Sequence, residues 1–220
     1  MEKTKKNDLV ELEFLGRNKD NGEVFDTNIK TEAEKINFKI QEKPLIVCIG
    51  QGMLVKGFDK ALEGKDTGKK YKIALSPEEA FGIRNPGLIR IIPIKIFEEK
   101  NLNPFAGMIV SLDNLIAKII TVSGGRVIVD FNNPLSGKEI EYEFTINKKI
   151  QDEKEKINSL QDFFFKQRFS FSIRDKKIIF EKSAEPFIKI FEEKFKEILK
   201  KEPNIEKSGE VSAIKHINQK

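Results

Sequence analysis

The sequence predicts an α+β protein: an antiparallel sheet wrapped on one short helix, interrupted by a β-rich inserted lobe and followed by a separate α/β unit. Three observations carry this. Residues 8–15 alternate, with Leu9, Glu11 and Glu13 on one side and Val10, Leu12 and Phe14 on the other, the pattern of a half-buried strand. Leu54, Phe58, Ala61 and Leu62 recur instead at helical spacing, and Gly64 follows where a helix would be capped. After about residue 151 the composition shifts to charged helical sequence, QDEKEKINSLQDFFF.

The remaining elements follow in order. Asp20-Asn21-Gly22 is a turn signal that returns Val24 and Phe25 beside the first strand. Ile36, Phe38 and Ile40 alternate and are expected to form a further β element, ahead of an apolar strand from Pro44 to Ile49 closed by Gly50. Tyr71, Ile73 and Leu75 alternate as another strand, which ends at Ser76-Pro77 in a loop running to Gly87; Ile140, Tyr142, Phe144 and Ile146 supply one more. Residues 88–132 read as short strands, Leu88 to Ile94, Met108 to Leu112, Ile116 to Val122 and Val127 to Phe131, with a hairpin at Gly124-Gly125. Past residue 151, a hairpin from Phe169 to Phe180 turns at Asp175-Lys176. An amphipathic helix from Glu185 to Lys200 then carries Phe187, Ile190, Phe191, Phe195, Ile198 and Leu199 on one face.

Composition narrows the function classes. At 39% hydrophobic and 34% charged, the 220 residues can bury a core beneath a highly charged surface. No run approaches the roughly 18 apolar residues of a membrane span, and the first residues carry no apolar signal core, so a cytoplasmic location and no membrane partner are expected. The single cysteine, Cys48, lies in an apolar run and reads as a small core side chain, while the single histidine, His216, lies in the polar tail; together they offer no metal-binding spacing. Basic residues number 40 against 35 acidic, but the signs are interleaved and no basic-aromatic stripe accompanies them, so nucleic acid is not an expected partner.

The stretch IGQGMLVKGFDKALEGKDTGKKYKIALSPEEAFG, residues 49–82, with FDT at 25–27 and PLIVCIG at 44–50, closely resembles the heart of the FKBP-type peptidyl-prolyl cis/trans isomerases. GLIRIIPIKIF at 87–97 and NPLSGKEIEYEF at 133–144 resemble the two borders of the lobe inserted in the SlyD-like subgroup, and residues 152–220 resemble in arrangement the C-terminal extension of long archaeal members. The resemblance implies an FKBP half-barrel from 1–87 and 133–151, an inserted chaperone (insert-in-flap) lobe at 88–132, and a C-terminal α/β extension with a polar tail at 152–220. The exit border lacks the subgroup's histidine and the chain lacks its His-rich tail, so no nickel storage role is expected.

Carried over position by position, the resemblance implies catalytic residues Phe14, Phe25, Asp26, Phe58, Phe81 and Tyr142, with Leu45, Leu54, Val55 and Leu135 binding substrate. Phe58 would be the floor, where many members have Trp. Phe25 and Tyr142 would be walls, Leu54 would aim its backbone N–H at a substrate carbonyl, and Asp26 would be the one charge. Phe14 and Phe81 stand where typical members have Tyr, so two pocket hydroxyls are missing. Periodicity alone also fits Phe14, Leu45, Val55 and Phe58 as ordinary core, and Asp26-Thr27-Asn28 fits a capped turn.

The function implied is isomerisation of X-Pro bonds combined with chaperone binding of unfolded or nascent proline-containing polypeptides, with no cofactor. A homodimer through the C-terminal extension is a further expectation. A non-catalytic holdase or binding scaffold on a degraded pocket fits the same residues.

Overall fold

The computed structural model describes residues 3–40 and 43–206. His216 and the polar tail from 207 lie outside the described residues.

Along the chain, β1 (Leu9–Asn18) is followed by β2 (Val24–Thr27), α1 (Lys30–Lys35), β3 (Leu45–Cys48), α2 (Lys56–Ala61) and β4 (Lys70–Leu75). Next come β5 (Ile89–Pro93), α3 (Ile94–Glu98), β6 (Ile109–Leu112), β7 (Leu115–Ser123) and β8 (Arg126–Asp130). The chain continues through β9 (Ile140–Lys149), α4 (Glu153–Phe164), β10 (Phe171–Arg174), β11 (Lys177–Phe180), α5 (Glu185–Leu199) and β12 (Glu202–Ile205). The fold is mixed α+β with antiparallel sheets and few helices, as expected. One strand expectation fails: the stretch holding Ile36, Phe38 and Ile40 is no β element, because the chain turns helical over α1 and then breaks at Asn37, which sits at a φ of 53°.

Contacts divide the chain into two units. Among the described residues, the first comprises 3–16, 24–40, 43–73 and 142–206, and the second 17–23 and 74–141.

The first unit is built on the sheet ordered β2-β1-β9-β4, with β3 on β1 in antiparallel register, Leu9 opposite Cys48 and Leu12 opposite Leu45. Val10, Leu12 and Phe14 of β1 and Tyr142, Phe144 and Ile146 of β9 are buried, as is Phe58 of α2. Thr4 staples the start of the chain to the end of α2: its hydroxyl donates to the Leu62 carbonyl at 2.5 Å and accepts from the Lys65 N–H at 2.9 Å.

The C-terminal extension belongs to this unit. Asp152 caps α4 by accepting from the Glu155 N–H at 2.7 Å, and β10 and β11 form the expected hairpin with Asp175 at positive φ. The chain then crosses through α5 and returns as β12, parallel to β11. Phe195, Ile188 and Ile198 of α5 join Leu160, Phe165, Ile178 and Phe180 in one buried cluster, with Phe187 and Phe191 packed against it. Most of the α5 stripe is therefore covered by its own hairpin and α4, while Ile190 is left 73% exposed. The cluster runs on to Leu9 and Cys48, with Ile46 and Met53 against it, so the outer face of β1 and β3 is sealed by the extension. Burial there pushes the Cys48 thiol up to about 12, with the charge of Asp59 adding to the effect.

The second unit carries a four-stranded antiparallel sheet ordered β5-β8-β7-β6. Val110, Leu112, Ala117, Ile119, Val127 and Val129 line one face and bury Phe97 of α3 beneath them. The other face leaves Ile91, Ile109 and Ile116 exposed at 63%, 69% and 74%. Arg84 pairs with Asp130, whose carboxyl is held below its ordinary range: hydrogen bonds from Asn132 and the Arg84 charge outweigh the larger single effect of burial.

Truncating Phe195 to Ala should cost about 3–5 kcal/mol, since it opens a cavity in a fully buried cluster. Ile190→Ser, on the same helix, should stay within about 0.5 kcal/mol for the fold of a single chain, where Ile190 is exposed. Urea unfolding of both variants against the parent checks the pair.

Candidate active site

Four rings of the first unit converge where α2 meets the sheet. Phe58 of α2 stacks on Tyr142 of β9 with ring centroids 4.3 Å apart and planes 18° from parallel. Phe14 of β1 meets Phe58 edge-on at 5.9 Å and Tyr142 at 6.0 Å, and Phe25 of β2 meets Tyr142 edge-on at 5.9 Å. Both geometries are the ones that ring quadrupoles favour. Period-2 strands explain the convergence: Val10, Leu12 and Phe14 share one face of β1, and Ile140, Tyr142 and Phe144 share one face of β9.

Asp26, next to Phe25, is half-buried, and desolvation raises its carboxyl above the ordinary 3.8 while a hydrogen bond from the Thr27 backbone partly offsets this. The same surroundings push the Tyr142 phenol up, first by burial and then by the charge of Asp26. The turn that Asp26 opens is fastened by its successors. Asn28 accepts from the Phe14 N–H at 2.8 Å and donates to the Leu12 carbonyl at 2.6 Å, and the Thr27 hydroxyl donates to the Phe14 carbonyl at 2.8 Å. These bonds fix β2 against β1.

Leu54 and Val55 lie half-buried in the loop between β3 and α2, with Val55 at the N-cap of the helix. Leu45 lies in a groove of about 600 Å³ with Leu12, Ile29, Phe38 and Ile40. Phe81 and Leu135 belong to the second unit. There the Phe81 carbonyl accepts from the Ser136 hydroxyl at 3.1 Å, the loop around Phe81 is closed by Gly82 N–H to Pro77 O at 2.6 Å, and the Leu135 N–H donates to Asn133 at 2.8 Å.

Two residues that sequence reasoning missed shape this site. A Cβ on Gly16 would stand 2.8 Å from Phe25 Cζ and 2.8 Å from Tyr142 Cε1, so only glycine lets both rings close over β1. A glycine inside an alternating strand was the available signal. Asp59, buried beside Phe58, accepts from the Gly50 and Gly52 N–H groups, each at 2.8 Å, and so ties the Leu54 loop to α2. Nothing in the sequence separated Asp59 from a solvated helical carboxylate.

The arrangement is an apolar cluster of rings beside one half-buried carboxylate whose pKa is raised. It suits recognition of an apolar group flanked by a polar amide.

Comparison with known proteins supplies the family. The family model for FKBP-type peptidyl-prolyl cis-trans isomerase matches residues 1–95, and that for the FKBP26 IF domain matches residues 90–135. The short-type peptidyl-prolyl cis-trans isomerase of Methanocaldococcus jannaschii is 34% identical over 151 residues, covering 67% of this chain and 92% of that protein. The FKBP-type isomerase SlyD of Helicobacter pylori is 30% identical over 150 residues, covering 66% and 74%. The FKBP-type 16 kDa isomerase of Escherichia coli is 28% identical over 109 residues, covering 47% and 72%. A fold of antiparallel sheet on short helix, a ring-lined site and a close relative matched along nearly its whole length agree, and the chain belongs to the FKBP-type peptidyl-prolyl cis-trans isomerase family.

Proposed function

We propose that this isomerase turns X-Pro bonds in the pocket formed by Phe14, Phe25, Asp26, Phe58 and Tyr142, with Leu45, Leu54, Val55, Phe81 and Leu135 completing the substrate contacts. The observation that supports it best is the ring cluster around a single half-buried carboxylate. Rotation about the amide meets a barrier of about 18–20 kcal/mol and makes or breaks no bond. Catalysis therefore needs only a surface that holds the twisted amide better than either planar form. Twisting removes amide resonance and reduces charge separation, which an apolar floor such as Phe58 favours. The Leu54 N–H would hold a substrate carbonyl, and Asp26 would supply the one oriented charge.

The domain assignment proposed with it is 1–87 with 133–151 as the isomerase part, 88–132 as an inserted chaperone lobe and 152–220 as the extension. Support for chaperone work comes from the exposed apolar face of the β5-β8-β7-β6 sheet, where Ile91, Ile109 and Ile116 stand uncovered. An unfolded chain could seat alternate side chains there and raise the local concentration of its prolines. Unfolded, proline-containing polypeptides in the cytoplasm are the proposed clients. Ile190 is the residue that supports a homodimer through the extension. The second reading, a holdase on a weakened pocket, is favoured by Phe14 and Phe81 standing where Tyr is usual.

Asp26→Asn and Phe58→Leu should each slow turnover of an X-Pro tetrapeptide at least several-fold while circular dichroism stays that of the parent. Unchanged turnover in both would remove these residues from the site and favour the holdase. Asp26 also predicts a stability signature. Its folded pKa is raised, so its contribution is fully present below 3.8 and is lost as pH rises through the folded value. Asp26→Asn should therefore melt higher than the parent at neutral pH and lose that advantage on acidification below 3.8.

Phe81→Tyr restores the usual hydroxyl, and turnover should rise by up to about tenfold, the equivalent of one neutral hydrogen bond of about 0.5–1.5 kcal/mol. Replacing 88–132 with a short flap should spare tetrapeptide turnover while proline-limited refolding and suppression of aggregation both collapse. Full retention of refolding catalysis would show that clients bind elsewhere.

A further inference from the structure

The loop between β3 and α2 is gripped from two sides. Asp59 holds it from α2, and the C-terminal extension holds it from outside. The Gln51 carboxamide donates to Asn7 Oδ1 at 2.7 Å and to Glu197 Oε1 at 3.1 Å, and its oxygen accepts from Lys194 Nζ at 2.8 Å. An amide with both donors and its acceptor engaged has one orientation only. Glu197 is in turn paired with Lys6 at 3.3 Å and Lys194 at 3.7 Å. Two residues further on, Met53 packs against the apolar cluster that contains Phe195 and Ile198, and its sulfur accepts from the Cys48 N–H at 3.1 Å.

The residues that follow are Leu54 and Val55. With Gln51 pinned by α5 and Met53 seated in the cluster, the loop cannot shift those two residues without breaking one of the grips. Packing alone would suffice to attach the extension, since its cluster already seals Leu9, Ile46 and Cys48. The polar clamp adds little to stability because Lys6 and Lys194 are about half exposed, 59% and 48% by side chain. What it adds is a fixed position for the loop.

We infer that the C-terminal extension is a positioning element of the isomerase site, acting through Gln51, Lys194 and Glu197 on the loop that presents Leu54 and Val55 to the substrate. The inference rests on the pocket assignment above. In it, Gln51, Lys194 and Glu197 are positioning residues that do not touch the substrate, and the extension sets how well the pocket edge is preorganised for a proline peptide.

The test uses the full chain carrying Gln51→Ala, Glu197→Ala, both together, and Lys189→Ala as control, since Lys189 pairs with Glu185 within α5. Steady-state kinetics on an X-Pro tetrapeptide, amide exchange across residues 50–55 and thermal unfolding are measured in parallel. Each clamp variant should raise KM about threefold or more with kcat within about twofold. Exchange at Leu54 and Val55 should quicken about tenfold, with an unchanged melting temperature. The double variant should be no worse than Gln51→Ala alone, which already removes every side-chain contact of Gln51 with Asn7, Lys194 and Glu197. Glu197→Gln, which keeps an acceptor for Gln51, should restore most of the KM, which a merely structural role would not predict.

Unchanged KM and unchanged exchange in the clamp variants, while Asp26→Asn still impairs turnover, would overturn the clamp and leave the pocket standing. Unimpaired turnover in Asp26→Asn would instead remove the pocket assignment, and the exchange rates would still decide whether the extension holds the loop.

Discussion

The stack of Phe58 on Tyr142 is the contact around which the first unit is arranged. At 4.3 Å between centroids, it fixes how closely α2 lies against β9. The neighbouring rings take their places from it. Phe14 and Phe25 turn their edges inward, and Phe144 packs against Phe58 on one side and stacks on Tyr71 on the other. The closeness is bought at one backbone position, Gly16, where any side chain would displace Phe25 and Tyr142 together. Asp26, next to Phe25, is half-buried, and that burial makes its carboxyl harder to ionise than in solution.

The ring cluster is not wholly without polarity. Phe14 contributes shape and no hydroxyl, but the Tyr142 phenol on β9 lies within electrostatic reach of Asp26. The one charge and the one phenol of the ring cluster therefore face related surroundings, each pushed towards its neutral form by burial. Burial thus acts in the same direction on both groups, by making the charged form of each less favourable.

Much of this was legible in the residues. Alternation located β1, β4 and β9 because each buries one face, and helical spacing located α2 and α5 because each has an apolar stripe. Double glycine marked the β7–β8 turn, where Gly124 and Gly125 both take positive φ. One expected strand failed and two elements were missed, each for a physical reason. Ile36, Phe38 and Ile40 alternate, yet Asn37 adopts the left-handed region and ends any strand there. Residues of α3 continue an apolar run without a break in composition; only Pro93, at the end of β5, marks the change. β12 is held by parallel pairing with β11 across α5, and that long-range register leaves no trace in a four-residue segment. In the site, ring positions were readable from motif and period. Asp59 and Gln51 were not, since a buried carboxylate and a clamped amide look like ordinary surface residues until their partners are known.

The apolar cluster joining Leu9 and Cys48 to Phe195 and Ile198 also sets a timetable. On a ribosome moving at roughly 5–20 residues per second, the helix that covers β1 and β3 emerges on the order of ten to thirty seconds after them. Throughout that interval Leu9, Ile46 and Cys48 present an uncovered face on a half-made sheet. This chain is thus, during its own synthesis, the kind of incomplete chain that folding helpers attend.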